Sequence, residues 1–174
     1  MIGNKLPVRK PTRLENFDYG ENGAYFITIC TEHRKNMLSV IKPYYNTVGE
    51  GSPLPHLSQY GEIVDSWIQK IPGKYSEVSV DCYVIMPNHI HLLLSVSRHD
   101  GRGDPSPTII AAMAWLKYQA TAEINHLRGV IGQKVFQRSF YDHVVRNQND
   151  YNEIYNYIIE NPMRWQLDKL YAEE

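Results

Sequence analysis

The sequence predicts an α+β domain, in which an antiparallel sheet carries helices on one face. Four stretches have the β-branched and aromatic composition of strands, and three others repeat apolar residues at helical spacing. They follow one another in the order β-α-β-β-α-β-α, which is that of the split βαβ, or ferredoxin-like, arrangement. A chain of 174 residues, 43% hydrophobic and 21% charged, can bury the single core that this arrangement needs.

The first half of the chain supplies a strand, a helix and a second strand. Residues 23–31 (GAYFITICT) predict the first strand, and the glycines and prolines of residues 46–56 indicate a loop. Ser58 can cap a helix that ends near Ile71. Residues 78–86 then alternate between apolar and polar side chains, which predicts the second strand. The residues expected on its apolar face are Val78, Val80, Cys82, Val84 and Met86.

The second half begins with a turn. Pro87-Asn88 is a turn signal, so the strand that starts at His89 is expected to pair back as a hairpin. Residues 98–107 (RHDGRGDPSP) are typical of a surface loop. The pattern next predicts a helix over residues 106–128, which a glycine ends. One strand within residues 134–145 then completes the predicted sheet.

The third predicted strand carries two histidines. His89 and His91 are two apart and therefore point to the same face of a strand. That face is expected to be the open one, because the apolar residues between and after them alternate to the other side. Two neutral imidazoles on a rigid strand form half of a divalent-metal site, although the same pattern also fits a pair of surface histidines. The residues expected to face the core are Ile90, Leu92, Leu94 and Val96.

The last predicted helix, over residues 147–161, has two polar side chains on one flank. Tyr157 and Asn161 are four apart and therefore stacked neighbours. A carboxamide oxygen is a hard metal ligand, and a phenol is a potential nucleophile. Tyr151 and Tyr155 lie on the predicted apolar arc of the same helix and are rivals by proximity. Since the chain has 13 tyrosines, spacing alone does not distinguish Tyr157 from an ordinary amphipathic tyrosine.

Charge and cysteine usage limit the class of protein. The net charge of −1 argues against a general nucleic-acid coat, which should be basic. The two cysteines lie in apolar, strand-like stretches and are expected to be buried free thiols. No apolar run approaches the ~20 residues that span a bilayer, and residues 1–13 lack the apolar segment of a secretory signal. We therefore expect a cytoplasmic protein without membrane contact.

Three stretches closely resemble one family of enzymes. They are MPNHIHLLL at 86–94, VFQRSFYDHVVRN at 135–147 and YNYIIENPMRW at 155–165. In this order and spacing they resemble the HUH-superfamily single-strand DNA transposases, and within them the REP-associated tyrosine transposases of bacteria. The resemblance runs from the first strand to residue 165. It implies a basic N-terminal arm at residues 1–22 and a single transposase-like domain at residues 23–174.

The resemblance implies a role for each residue of the two motifs. His89 and His91 match the metal-binding histidines, and Tyr157 matches the nucleophilic tyrosine of this family. Asn161 occupies the position of the third, amide ligand, where some members of the wider superfamily carry Gln. The expected cofactor is a divalent metal, Mg²⁺ or Mn²⁺, and the expected partner is single-stranded or hairpin DNA. Relatives act either as monomers or as homodimers that exchange the tyrosine helix.

The implied reaction is DNA transesterification through a 5′-phosphotyrosine. A phenol with an ordinary pKa of about 10 is mostly protonated at pH 7, so a neighbouring group must favour the phenolate. The sequence offers Lys117, Arg138 and His143 as candidates. Two alternatives stay open: a DNA-binding module that no longer cleaves, and an unrelated metal-dependent hydrolase, which the absence of a nearby carboxylate pair disfavours.

Basic and aromatic residues are the candidates for DNA contacts. Tyr141 lies between Arg138 and Arg146, in a segment where rings and cations alternate, as in single-strand binding surfaces. The resemblance extends DNA contact to the N-terminal arm. The arm residues implied are Arg9, Lys10 and Arg13.

Overall fold

The structure is a computed structural model, and it describes residues 22–42, 54–97 and 108–172. The predicted basic arm, the loop at 98–107 and most of the loop at 46–56 lie outside these residues. In chain order the elements are β1 (Gly23–Cys30), β2 (Ser39–Ile41), β3 (Pro55–Leu57), α1 (Gln59–Gln69), α2 (Ile71–Lys74), β4 (Val78–Ile85), β5 (His89–Val96), α3 (Thr108–Leu127), β6 (Tyr141–Val144) and α4 (Gln148–Glu160), with 3-10 helices at Glu32–Arg34 and Asn161–Leu167.

The main sheet has four antiparallel strands in the order β4-β5-β1-β6. The connection from β1 to β4 passes over β5, which lies between these two strands. This is the split βαβ arrangement, so the predicted α+β class and topology are confirmed. In this register Thr28 of β1 lies opposite His91 of β5 and, on its other side, opposite Tyr141 of β6. Strands β2 and β3 form a separate small hairpin.

The larger core lies between the sheet and the helices α1 and α3. Ile27 of β1 and Leu92 of β5 are fully buried there, together with Ile68 of α1 and Met113 of α3. Burial of each such side chain stabilises the fold by about 1.5–3 kcal/mol. Helices α1, α3 and α4 lie where the sequence predicts them, whereas the short helix α2 was not predicted. Ser58 accepts a hydrogen bond from the Gly61 amide at 3.2 Å, which caps α1.

A β-bulge corrects the predicted faces of β4. The register shifts between Val80 and Cys82, so Asp81 is the extra residue of the bulge. Val78 packs under α1 and α3, whereas Cys82 and Val84 pack on the opposite face of the sheet. The expectation that the apolar residues of β4 share one face is therefore wrong, because the bulge reverses the alternation half-way along the strand.

The second face of the sheet is covered in part, over β4 and β5, whereas we expected it to stay open. Ile158 of α4 and Trp165 of the following 3-10 helix are buried against Leu93 of β5. The helices therefore flank both faces, α1 and α3 on one and α4 on the other. The predicted apolar arc of α4 packs only in part, since Tyr151 contacts this cluster whereas Tyr155 is 40% exposed.

Two further sequence expectations can be compared with the structure. Cys30 and Cys82 are both free thiols; Cys82 is buried as expected, whereas Cys30 is only partly buried. Among the described residues, no helix has the length and apolar character needed to cross a bilayer.

Candidate metal and nucleophile site

The two histidines begin strand β5 and point toward α4. They are buried, at 0% and 2% exposure for His89 and His91, and their ring centroids are 4.5 Å apart. Burial lowers the pKa of His89 to about 4, against an opposing effect of Asp168. Burial, and next the neighbouring His89, lower the pKa of His91 well below its ordinary value. Both rings are therefore neutral at pH 7, the form that binds metal ions.

Each ring has a close hydrogen-bond partner at its Nδ1 atom. The Asn88 side chain donates from Nδ2 to the Leu170 carbonyl at 2.9 Å. Its Oδ1 therefore faces His89 Nδ1 at 2.9 Å and accepts a hydrogen bond from that nitrogen. His91 Nδ1 lies 2.8 Å from the Thr28 hydroxyl. Such partners orient metal-binding histidines and leave Nε2 for the metal. His89 Nε2 is indeed buried without a hydrogen-bond partner among the described residues.

Asp168 completes a cluster that the sequence analysis missed. One donor atom from each of His89, His91 and Asp168 lies within 4.8 Å of the others. No spacing rule connects Asp168 to the histidines. It reaches them because the chain turns back over the sheet after Trp165, whose ring centroid is 5.8 Å from that of His89. A tertiary return of this kind has no signal in the local pattern.

The structure brings Tyr157 and Asn161 to the same place. The Tyr157 hydroxyl is 3.4 Å from His91 Nε2 and donates to Asp168 Oδ2 at 3.3 Å. Asn161 Nδ2 donates to the same carboxylate oxygen at 2.9 Å, and its Oδ1 is buried without a partner among the described residues. Burial, followed by the charge of Asp168, raises the pKa of Tyr157 to about 12.

The rival tyrosines lie elsewhere. The Tyr151 hydroxyl donates to Asp81 Oδ2 at 3.1 Å, on the β4 side of the helix, and the Tyr155 side chain is 40% exposed. Two of the proposed activating groups are also engaged away from the site. Lys117 Nζ donates to the Arg138 carbonyl at 2.9 Å, and His143 Nε2 lies 2.9 Å from Asp150. Among the described residues, His91 and Asp168 lie within hydrogen-bonding distance of the Tyr157 hydroxyl instead.

A cavity of about 590 Å³ opens beside Tyr157, and we call it the site cavity. It brings one predicted DNA contact, Tyr141, to the site, with 61% of that side chain exposed. Arg138 and Arg146 are exposed but do not line this cavity, and the three arm residues lie outside the described residues. The described residues that line it are Phe26, Thr28, Cys30, Arg34, His91, Gln137, Ser139, Phe140, Tyr141, Tyr157, Asp168, Lys169 and Leu170.

His89, His91 and Asp168 fit a divalent cation. Two neutral imidazoles and one carboxylate provide two nitrogen ligands and one oxygen ligand, a set that Mn²⁺ and related metals accept. The unpartnered Nε2 of His89 is a buried lone pair, which is costly without a proton donor or a cation. The carboxylate of Asp168 has no ion-pair partner among the described residues. Its charge is therefore available to a metal.

Comparisons with known proteins give the fold. No protein-family model matches the chain. A protein of Haemophilus influenzae strain Rd, itself of uncharacterised function, is 29% identical over 181 residues, which cover 95% of this chain and 94% of that protein. The solved structure of a REP-associated tyrosine transposase bound to a REP hairpin has a TM-score of 0.57 and 20% identity, over 87% of this chain and 74% of that one.

The chain has a tyrosine-transposase-like fold. The resemblance expected from the three sequence stretches is thereby confirmed for the fold. A second solved structure, from Deinococcus radiodurans, covers 86% of this chain and 98% of its own. Its TM-score of 0.49 and 14% identity are too low to bear on function. The tyrosine-transposase-like fold explains why the histidine strand and the tyrosine helix are adjacent, since both lie on the same face of the sheet.

Proposed function

We propose that this protein is a metal-dependent single-strand DNA endonuclease and strand transferase, a transposase that acts at hairpin-associated sites through a 5′-phosphotyrosine. The observation that carries the proposal is the distance of 3.4 Å between the Tyr157 hydroxyl and His91 Nε2. It makes a nucleophile and a metal-binding group adjacent within one chain. The fold shared with a hairpin-bound transposase supports the choice of substrate.

His89 and His91 would hold the metal, with Asp168 or Asn161 as the third ligand. A bound Mg²⁺ or Mn²⁺ would offset negative charge on the scissile phosphate and align it for attack. Thr28 and Asn88 fix the two rings through their Nδ1 atoms. Burial keeps both rings neutral, so they bind a metal without first losing a proton.

Tyr157 supplies the nucleophile. Its oxygen loses the phenol proton and attacks phosphorus in line, and the bond from phosphorus to the 3′ oxygen breaks. The departing 3′ oxygen takes up a proton, so the products are a 5′-phosphotyrosine and a free 3′-hydroxyl. Asp168 Oδ2 already accepts the phenol hydrogen bond and is placed to receive the proton. The covalent bond to Tyr157 conserves the phosphoester, so attack by a 3′-hydroxyl rejoins DNA without an external energy source.

The site cavity fits a flexible strand. Its mouth has the exposed ring of Tyr141 for base stacking, and Arg34 and Lys169 contribute positive charge. We assign further phosphate contacts to Arg138, Arg146 and the arm, in particular Arg9, Lys10 and Arg13. Because Tyr157 reaches the histidines of its own chain, a monomer has every group that the reaction requires, and a homodimer need not exchange helices. A cytoplasmic location suits such a substrate.

The test is a covalent adduct. The full chain is incubated with Mn²⁺ and a single-stranded oligonucleotide that forms a hairpin with unpaired flanks, and the product is separated by denaturing electrophoresis. We expect a protein–DNA adduct that Tyr157→Phe abolishes and Tyr155→Phe retains. An adduct that persists in Tyr157→Phe would assign the nucleophile to another tyrosine.

A second function is a DNA-binding module with little or no cleavage. The observation that favours it is the hydrogen bond from Tyr157 to Asp168, together with the pKa of Tyr157 raised to about 12, both of which hold the phenol protonated. Binding of the hairpin oligonucleotide without any adduct, in Mg²⁺ or in Mn²⁺, would establish this alternative.

A further inference from the structure

A second cavity, of about 460 Å³, lies between α3 and residues 132–138, and we call it the α3 groove. It is separate from the histidine face, because α3 covers the opposite side of the sheet. None of the described residues that line it is acidic. They are Lys117, Tyr118, Thr121, Ala122, Asn125, Gly132, Lys134, Phe136, Gln137 and Arg138.

The α3 groove is cationic, and two of its charges are uncommitted. Lys117 donates from Nζ to the backbone carbonyls of Gln137 and Arg138 at 2.5 and 2.9 Å, which fixes the wall of the groove. Lys134 and the Arg138 side chain are exposed. The ion pairs found among the described residues involve neither of them. Two free cations beside one fixed cation form a site that attracts phosphate.

The α3 groove also contains a buried hydrogen-bond acceptor, which needs a donor that a phosphate anion does not provide. Asn125 is only 6% exposed, and its Nδ2 donates to the Gln133 carbonyl at 2.8 Å. Its Oδ1 is buried and has no hydrogen-bond partner among the described residues. An unpaired buried acceptor is costly, so a ligand with N–H or O–H donors stabilises it. Tyr118, 71% exposed on the rim, adds a ring on which a base can stack.

The α3 groove adjoins the site cavity. Gln137 lines both cavities. Its backbone N–H donates to the Cys30 carbonyl at 2.9 Å, which holds the segment around Gln137 against the end of β1. Lys117 holds the same segment from the other side. The two cavities are therefore neighbours on either side of residue 137.

We propose that the α3 groove binds the single-stranded DNA that flanks the scissile phosphodiester. Lys134 and Arg138 contact its phosphates, Tyr118 stacks on a base, and Asn125 Oδ1 accepts from a base amino group. This assignment rests on the proposed function, which supplies the DNA substrate. It extends the site from the reacting phosphate to the unpaired strand beyond it.

The test is an equilibrium binding measurement in the full chain with Tyr157→Phe, which binds without cleaving. Fluorescence anisotropy follows a labelled hairpin oligonucleotide with an unpaired flank, and a second one without the flank. We expect Lys134→Ala and Arg138→Ala each to weaken binding of the flanked hairpin several-fold. Each should also reduce the slope of log K against log salt by ~0.7, the value for one single-strand phosphate contact. Lys74→Ala, an exposed lysine of α2, is the matched control.

The outcomes separate this proposal from the proposed function. The α3 groove is overturned if Lys134→Ala, Arg138→Ala and Lys74→Ala have equal affinities and salt slopes. It is also overturned if the losses are equal for hairpins with and without the flank. Neither outcome affects adduct formation by the chain with Tyr157 intact. If Lys134→Ala and Arg138→Ala weaken binding of the flank, but the chain with Tyr157 intact forms no adduct, the α3 groove is supported and the nuclease is overturned. Tighter binding of an RNA oligonucleotide of the same sequence would assign the groove to RNA. Tyr118→Ala, an exposed substitution, tests the stacking contact by the same loss of flank binding.

Discussion

The Tyr157 hydroxyl lies 3.4 Å from Nε2 of His91, although the two residues are 66 positions apart in the chain. The ring of Phe26 packs against both, with centroids 5.1 Å from His91 and 6.0 Å from Tyr157. The helix and the strand are thus held together by an apolar contact as well as by a polar one. Any motion that lifts α4 from the sheet separates Tyr157 from the two histidines.

The third metal ligand can be identified by affinity. We expect Asp168→Asn to weaken Mn²⁺ binding at least about tenfold, because it removes the only charge among the clustered donors. Isothermal titration calorimetry on the DNA-free protein measures this directly. Glu160→Gln is the control, since that carboxylate forms a surface pair with Arg164 at 2.8 Å and should not affect the metal. A loss in Asn161→Ala but not in Asp168→Asn would make the amide the ligand.

Removal of one ring partner should weaken the metal site without disturbing the fold. Thr28→Val keeps the shape of the side chain but removes the hydroxyl that lies 2.8 Å from His91 Nδ1. We expect Mn²⁺ affinity to fall about tenfold or more, as for other groups that orient metal-binding histidines. Thr28→Ser should restore it. Equal affinity in the valine and serine variants would show that the hydroxyl does not orient the ring.

The metal-free protein should lose stability in mild acid. The pKa of His89 is about 4 in the folded chain and 6.5 ordinarily, so between these values the unfolded state binds the extra proton. Stability therefore falls as pH decreases through this window. We expect His89 alone to make the protein about 2 kcal/mol less stable at pH 5 than at pH 7.

Urea unfolding in the presence of a chelator measures that difference. His89→Gln should reduce the pH dependence, whatever its effect on stability at pH 7. An identical pH profile in this variant would contradict a neutral, buried His89. Saturating Mn²⁺ should stabilise the parent chain most at neutral pH, because protons compete with the metal for the same nitrogens.

The start of α1 is expected to tolerate no side chain at Gly61. A Cβ added there would lie 2.0 Å from the Leu38 carbonyl oxygen, so the backbone would have to move. We expect Gly61→Ala to destabilise the protein by about 1–3 kcal/mol, the usual cost of overpacking. Gly73→Ala is the control, since a Cβ there meets nothing within 4 Å. Equal urea midpoints for the two variants would contradict the close approach.

The parts of the site that could be predicted are those with a local period. The two-residue period of a strand gives the shared face of His89 and His91, and the helical period gives the shared flank of Tyr157 and Asn161. Asp168 could not be found in this way, because only the packing of Trp165 returns the chain to the histidines. The covered second face was missed for a related reason. On β4, Cys82 and Val84 face α4 only because the bulge reverses the alternation of the strand.

The bulge in β4 has a consequence for the position of Tyr157. Asp81, its extra residue, accepts hydrogen bonds from Ser79, Ser95 and Tyr151, so one inserted position both turns the end of β4 toward α4 and fastens the helix there. Deletion of this single residue would restore plain alternation and rotate Cys82 and Val84 away from Ile158. The placement of Tyr157 thus depends on one inserted residue in a neighbouring strand, and a chain that lacks this residue should lose that placement even with every residue of the candidate site unchanged.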